Sequence, residues 1–352
     1  MKEPLYKKIY QELYDLIQSG VLAPDSKVPT EKELSEKYQV SRITSKRALT
    51  ELEQNNLIYR IQGSGSFVRK QVPSQTKGKV LFILPFANDL SLGNFTEGIY
   101  PMMQEKGFEL MLTPVDYLEQ TTAEALTEEF DGMIYYASNT SSNYDLLFEL
   151  AAQQFPVVTL DKTLHEFAFP AVLADNFEGG QLATEHLLAL GHQRIGYIFG
   201  DQHHPQSVRQ RYLGYVDQLQ SNQAPFRTKL DESQALLASA VAYIQENQLT
   251  AAVCENDLIA IELMRQLRQV GYQIPTDFSV IGFDDIQAAA LVDPPLTTVK
   301  QNFAELGRLA GIKLIKLIQK NSTKNPTSKE KASESENQKV AVSLVIRDST
   351  NK

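Results

Sequence analysis

The sequence predicts a small α+β winged helix-turn-helix head joined to an α/β body of two doubly wound lobes. Three observations predict it. Residues 1–79 hold fourteen Lys/Arg against nine Asp/Glu, whereas the remainder holds twenty against thirty-four, within a chain of net charge −9. The first 70 residues read as three helices followed by a glycine-tipped hairpin. From residue 79 onward, short apolar runs alternate with amphipathic helical segments, the pattern of parallel sheets covered on both faces. At 352 residues the chain is too long for one ordinary core.

In the head, Leu5, Ile9, Leu13, Leu16 and Ile17 recur at helical spacing, and Gly20 follows as a stop signal. A second helix opens in "PTEKELSEKYQV": Thr30 can cap it, and Glu33 three residues on completes a capping-box pattern. Ser41 is a good cap for a third helix running to about Gln54, with Ala48, Leu49 and Leu52 as its inward stripe. Arg42 and Lys46, four apart, share its outer face with Arg47 beside them. "LIYRIQGSGSFV" then predicts strands Leu57–Gln62 and Ser66–Arg69 around Gly63-Ser64-Gly65. In such a module the third helix enters the major groove with its first turns nearest the bases. Arg42, long and forked, suits a guanine edge; the other cations suit phosphates. The wing tip needs glycine for close backbone approach. A solvated cationic helix face would show the same cluster.

"PTEKELSEKYQVSRITSKRALTELEQNNLIYRIQGSGSFV" resembles the DNA-binding domain of the GntR family, in which a Pro-Ser/Thr-Glu helix start leads through Ser-Arg-x-Thr-Val-Arg-x-Ala-Leu to a Gly-x-Gly-Thr-Phe-Val wing. The resemblance implies contacts to double-stranded operator DNA from Thr30, Glu31, Ser41, Arg42, Thr44, Lys46, Arg47, Gly63, Ser64 and Gly65. Three positions depart from it. Ser45 replaces an inward valine, which should loosen the helix, and Lys46 replaces an arginine, keeping charge but losing the fork. Ser66 for the wing threonine changes little.

"KQVPSQTKG" reads as a linker, so the expected organisation is head 1–70, linker 71–78 and body 79–352. The expected strands of the body are "KVLFILPF", "GMIYYA", "PVVTLD", "RIGYIFG", "AAVCEN" and "SVIGFD". "TEGIYPMMQEKG", "GGQLATEHLLALG" and "LIAIELMRQLRQVG" are expected helices. Ligands of such folds bind beyond strand C-termini, here in a cleft between lobes. Asp161, Asn256-Asp257 and Asp284-Asp285 fall just after strands and could hold sugar hydroxyls, although Asp and Asn also follow strands simply as caps.

"ADNFEGGQLATEHLLALGHQRIGYIFG", "SVRQRYLGY", "CENDLIAIEL", "PTDFSVIGFDD", "PPLTTVKQNFAELG" and "SLVIRDST" resemble the effector domain of the LacI family, which has the periplasmic-binding-protein-like fold. That resemblance implies effector contacts from Asp161, Arg211, Asn256, Asp284, Gln301 and Phe303, with Phe303 as aromatic wall and Arg211 as donor to hydroxyls. Phe86, Phe95 and Tyr136 are further candidate walls. A GntR-type head on a LacI-type body is similar to the arabinose-repressor family of Gram-positive bacteria. It implies a homodimeric repressor released from DNA by a sugar, with L-arabinose or another pentose as the lead.

Other classes fit less well. The body alone would allow a sugar-binding transport or chemoreceptor protein, but "MKEPLYKKIYQEL" lacks the apolar core of a signal peptide, and a cytoplasmic location is expected. No apolar run is long enough to span a membrane. "GSGS" lacks the Lys-Ser/Thr of a phosphate loop, no Gly-x-Ser-x-Gly elbow occurs, and adjacent Asp284 and Asp285 should point apart, so no enzyme is expected. Cys254 is the only cysteine and His203-His204 have the wrong spacing for one helix face, so neither a metal nor another cofactor is expected. Residues 320–339 read as an inserted loop before a last strand in "VAVSLVIRDST".

Overall fold

The computed structural model describes residues 4–18, 21–54, 57–61, 64–68, 78–84, 94–136, 143–200, 204–322 and 337–351. The chain divides into two compact units, Met1–Gln75 and Thr76–Lys352. Most of the expected linker, residues 71–77, lies outside the described residues.

The first unit contains helices Leu5–Gln18, Glu31–Tyr38 and Arg42–Gln54 and an antiparallel hairpin of Ile58–Ile61 with Gly65–Val68. Ile9, Leu13 and Ile17 meet Leu34, Ala48, Leu49, Leu52, Ile58 and Val68 in one core. Leu5 stands outside it, exposed at the helix start. The expected capping box forms: the Glu33 amide donates to Thr30 Oγ1 at 3.3 Å, and the Thr30 amide donates to Glu33 Oε2 at 2.7 Å. Ser41 Oγ accepts from the Thr44 amide at 3.3 Å, opening the third helix as expected.

Ser45 behaves differently from a simple lost contact. Its side chain is fully buried beside Ala48 and Leu49, and its hydroxyl has no hydrogen-bond partner. A buried unpaired hydroxyl costs about 1 kcal/mol or more. Ser45→Ala is therefore expected to raise the head's unfolding free energy by about 1 kcal/mol, read from its transition in calorimetry.

In the second unit, a six-stranded parallel sheet has the order Gln338–Val340, Ala171–Ala174, Val157–Leu160, Gly132–Tyr136, Gly78–Leu84, Phe108–Pro114. A five-stranded sheet runs Ser343–Val345, Thr297–Lys300, Ser279–Asp284, Ala251–Cys254, Ile195–Ile198, parallel except at Ser343–Val345. Each sheet is buried between helices, hence the continuous apolar runs of its central strands. All six expected strands and all three expected helices form. Phe108–Pro114 escaped notice because it lies at the sheet edge, where only Phe108 is buried and Met111 and Leu112 are exposed.

The chain crosses between the lobes three times. Ala171–Ala174 lies in the six-stranded sheet, while the next helix, Asn176–Ala189, packs on the other lobe. Thr297–Lys300 lies in the five-stranded sheet, and helix Phe303–Ser322 returns to the first lobe. The tail supplies the third crossing and corrects the sequence expectation. "VAVSLVIRDST" is not one strand: Val340 ends a strand in one lobe, and Ser343 begins another in the other. The expected insertion is also shorter, since residues 320–322 end a helix and Gln338–Val340 pair with Ala171–Ala174; residues 323–336 lie outside the described residues.

Candidate effector cleft and nucleic-acid interface

In the first unit the third helix presents Arg42, Ile43, Lys46 and Arg47 outward. Among the described residues Arg42 and Lys46 make no ion pair. Arg47 is engaged: its guanidinium lies 3.9 Å from the Tyr6 ring centroid, and Nη2 donates to the Tyr6 hydroxyl at 3.3 Å. That stacking makes Arg47 a brace between first and third helices more than a free cation. Thr30 and Ser41 spend their hydroxyls on helix caps, with Thr44 Oγ1 2.9 Å from Ser41 Oγ. Glu31 is half-buried in the first turn of the second helix. In the wing, Gly65 has φ +117°, a conformation that favours glycine, and a Cβ there would press on Lys27. Ser64 is exposed at the turn; Gly63 lies outside the described residues.

In the second unit, Arg211 comes from helix Gln206–Ser221, which crosses Asn176–Ala189 at backbone contact. A Cβ on Gly180 would sit 1.9 Å from the Arg211 carbonyl oxygen, and one on Gly214 would sit 2.1 Å from the Phe177 oxygen. This close crossing sets where Arg211 emerges. Its guanidinium is buried, 3.2 Å from Asp284 Oδ1, and donates to Asn176 Oδ1 at 2.8 Å and to the Glu255 carbonyl at 2.5 Å. It also lies 3.8 Å from the Phe283 ring centroid. Gln301 Nε2 donates to the same Asp284 oxygen at 2.6 Å.

Two crossover segments thus meet on one ion pair: Asn176 opens the first, and Gln301 opens the second. Asp161, at the end of a strand of the first lobe, accepts from Ser207 Oγ of the second at 3.1 Å. Beside it the Thr163 amide donates to Gln206 Oε1 at 2.9 Å. Asp161 has φ 70° and Asp284 φ 113°, so both carboxylates sit on backbone conformations that ordinary residues avoid.

The electrostatics follow from burial. Burial lifts the Asp284 carboxyl to about 6, while the Arg211 charge and the Gln301 hydrogen bond pull the other way and favour its ionised form. Burial would lower Arg211, but the carboxylates of Asp284 and Asp161 outweigh it and hold its pKa above the ordinary value. Lys162, also buried, is lowered by burial and partly restored by Asp161. Asp285 points away from Asp284, to Arg347 Nη2 at 2.5 Å, as expected for adjacent carboxylates on a turn.

An aromatic cluster stands on the first lobe. The Phe95 ring meets Phe303 at 5.1 Å, Tyr136 at 5.9 Å and the buried Phe82 at 6.1 Å, all edge-on. Phe303 and Tyr136 are half-buried, while Phe95 is buried behind them. Phe86 lies outside the described residues. Asn256 is the candidate that stands furthest from the expectation: its Oδ1 caps helix Asp257–Gln269 by accepting from the Ile259 amide at 2.9 Å. That is the cap reading of a polar residue after a strand, and it leaves only its amide nitrogen for a ligand.

Sequence reasoning passed over Asn176, Ser207, Gln206 and Thr163. Asn176 lies inside "ADNFEGG" and Ser207 opens "SVRQRYLGY", both stretches that carry the LacI resemblance; Gln206 and Thr163 depend on a contact between distant segments. Among the described residues no group of three or more His, Cys, Asp or Glu is disposed to hold a metal ion. No described helix is long and apolar enough to cross a membrane.

Comparison with known proteins agrees with both units. Residues 5–68 match the model for bacterial regulatory proteins of the gntR family, and residues 184–350 match the periplasmic binding protein-like domain. The chain is 33% identical over 347 residues to the arabinose metabolism transcriptional repressor of Geobacillus stearothermophilus, covering 92% of this chain and 94% of that one. It is 27% identical to the probable HTH-type transcriptional repressor ExuR of Bacillus subtilis, covering 86% and 91%. A LacI family transcriptional regulator from Enterococcus faecium, solved with bound ribose, superposes with a TM-score of 0.63 at 28% identity, covering 78% of this chain and 98% of that one. The chain belongs to the family of transcriptional repressors that join a GntR-type DNA-binding head to a LacI-type, periplasmic-binding-protein-like effector body.

Proposed function

We propose that this protein is a cytoplasmic, homodimeric repressor of carbohydrate utilisation genes, released from operator DNA by a sugar bound between the two lobes of the body. The observations that carry this reading are the Arg211–Asp284–Gln301 network and the Phe95–Tyr136–Phe303 cluster, which Gln301 and Phe303 bring within two residues of each other in the chain. A sugar offers hydroxyls to fixed donors and acceptors and C–H faces to rings. L-arabinose is the first candidate, and other pentoses are next. The head is residues 1–70 and the linker runs from residue 71 to the body, whose first strand already includes Gly78; two heads on a dimer suit a two-fold symmetric operator.

The mechanism follows from the crossovers. A sugar hydroxyl that competes for Asp284 or Arg211 acts on the groups that Asn176 and Gln301 hold, and so on the segments joining the lobes. Its maximum effect on DNA affinity equals its difference in affinity for the two lobe arrangements.

The test is a fluorescence-anisotropy titration at fixed salt of the DNA-bound protein with pentoses, hexoses, disaccharides and sugar acids. Release by a pentose is the expected result; no release by any sugar would remove the induced-repressor reading. Arg42→Ala should weaken specific binding by about 5- to 150-fold and relax preference at one base pair. Lys46→Ala should weaken binding to all sequences alike and lower the salt slope by about 1.

A further inference from the structure

Ile43 occupies the second position of the helix Arg42–Gln54, directly after Arg42 and three residues before Lys46. Its side chain is 80% exposed, more than any other large apolar side chain described in the head. The helix's remaining apolar residues Ala48, Leu49 and Leu52 are buried in the core. A β-branched residue contributes little to helix stability, and leaving it in water forgoes the gain of burial. Isolated exposed apolar residues are ordinary on protein surfaces; what distinguishes Ile43 is its place, in the first turn and between the two cations that make no ion pair.

The major groove presents hydrogen-bond donors and acceptors and a single kind of apolar group, the thymine C5 methyl. For an apolar side chain in the first turn of a helix entering that groove, this methyl is the matching partner on the base edges. We propose that Ile43 is a specificity-determining residue that reads a thymine in each operator half-site through its C5 methyl. The proposal rests on the DNA-binding reading above. It adds discrimination of T·A from C·G beside the cations, whose hydrogen bonds and charge do not sense a methyl group.

The full-length protein would first select duplexes from a random-sequence library, and the enriched duplex becomes the probe. Thymines are then replaced singly by deoxyuridine, which deletes only the C5 methyl, and affinities are measured by anisotropy at fixed salt. One thymine per half-site is expected to lose about fourfold in affinity on replacement, the effect of one methyl group removed from contact. Ile43→Ala should keep the head's thermal transition, since the side chain is exposed. It should also bind the thymine and uracil duplexes equally at that position. Uracil substitutions that leave wild-type affinity unchanged everywhere would overturn the proposal and assign Ile43 to some other partner. So would an Ile43→Ala variant that retains the full uracil penalty. A library from which no duplex is enriched would instead overturn the DNA-binding reading, and the proposal with it.

Discussion

Arg211→Ala is expected to destabilise the body by about 3–5 kcal/mol, because it leaves the Asp284 carboxylate buried without its counter-charge. In a unit of this size that lowers the midpoint of its thermal transition by roughly 10 °C. Asn176 and the Glu255 carbonyl lose a donor at the same time, and Phe283 loses the guanidinium over its face. Calorimetry of the full-length variant measures this directly; a midpoint within about 2 °C of wild type would mean that the pair contributes little to the fold. The consequence for function is practical. A loss of sugar response in Arg211→Ala cannot be read as a lost ligand contact, since the same change weakens the lobe. Asp161→Asn separates the two: Asp161 is half-buried, its bond is one from Ser207, and asparagine tolerates its φ of 70°. That variant is expected to fold with a near-native transition and to need more sugar for release from DNA.

The second large effect is a pH dependence that runs opposite to ordinary acid unfolding. Asp257 is fully buried, accepting from Thr298 Oγ1 at 2.5 Å and from the Ile286 amide at 2.9 Å. Burial first, and the nearby Asp284 charge second, raise its pKa to about 8. An unfolded aspartate titrates near 4. Between about 4 and 8 the folded body keeps a proton that the unfolded chain has released. This group's contribution to stability therefore falls as pH rises through that window and is level above it.

Asp284, raised to about 6, acts in the same direction at the lower end. His186 and His192, both depressed by burial, act in the opposite direction below their ordinary value. The difference between wild type and Asp257→Asn isolates the first group. Asparagine can accept from Ile286 and donate to Thr298, so the variant should match wild type only near about pH 3, below the unfolded value, and exceed it by several kcal/mol at pH 8. Equal pH profiles of the two proteins in chemical denaturation would show that Asp257 is ionised in the folded body.

The head was largely legible in the sequence because its signals are short-range. A capping box spans three residues, a helix stripe repeats every three or four, and a wing announces itself by its glycines. Thr30 with Glu33, Ser41 with Thr44, and Ala48, Leu49 and Leu52 form as the spacing predicts. Arg47 was legible only in part. Its charge and face were evident, but the ring of Tyr6, forty-one residues away, became its neighbour only when the first helix folded against the third.

For the body, alternating strands and helices set the two parallel sheets, and strand ends marked Asp161 and Asp284. The sequence alone thus determined the two-part architecture, the cationic helix face and the strand-end carboxylates, since each is written in residues a few positions apart. Tertiary structure alone decided that "VAVSLVIRDST" splits between lobes and that Asn176 and Gln301 grip one buried ion pair. It also decided that Asp257 is buried near Asp284, which raises its pKa. The physical reason is common to all three. Hydrogen bonding and desolvation depend on what surrounds a group, and for these residues the surroundings come from segments distant in the chain that meet only in the folded lobes.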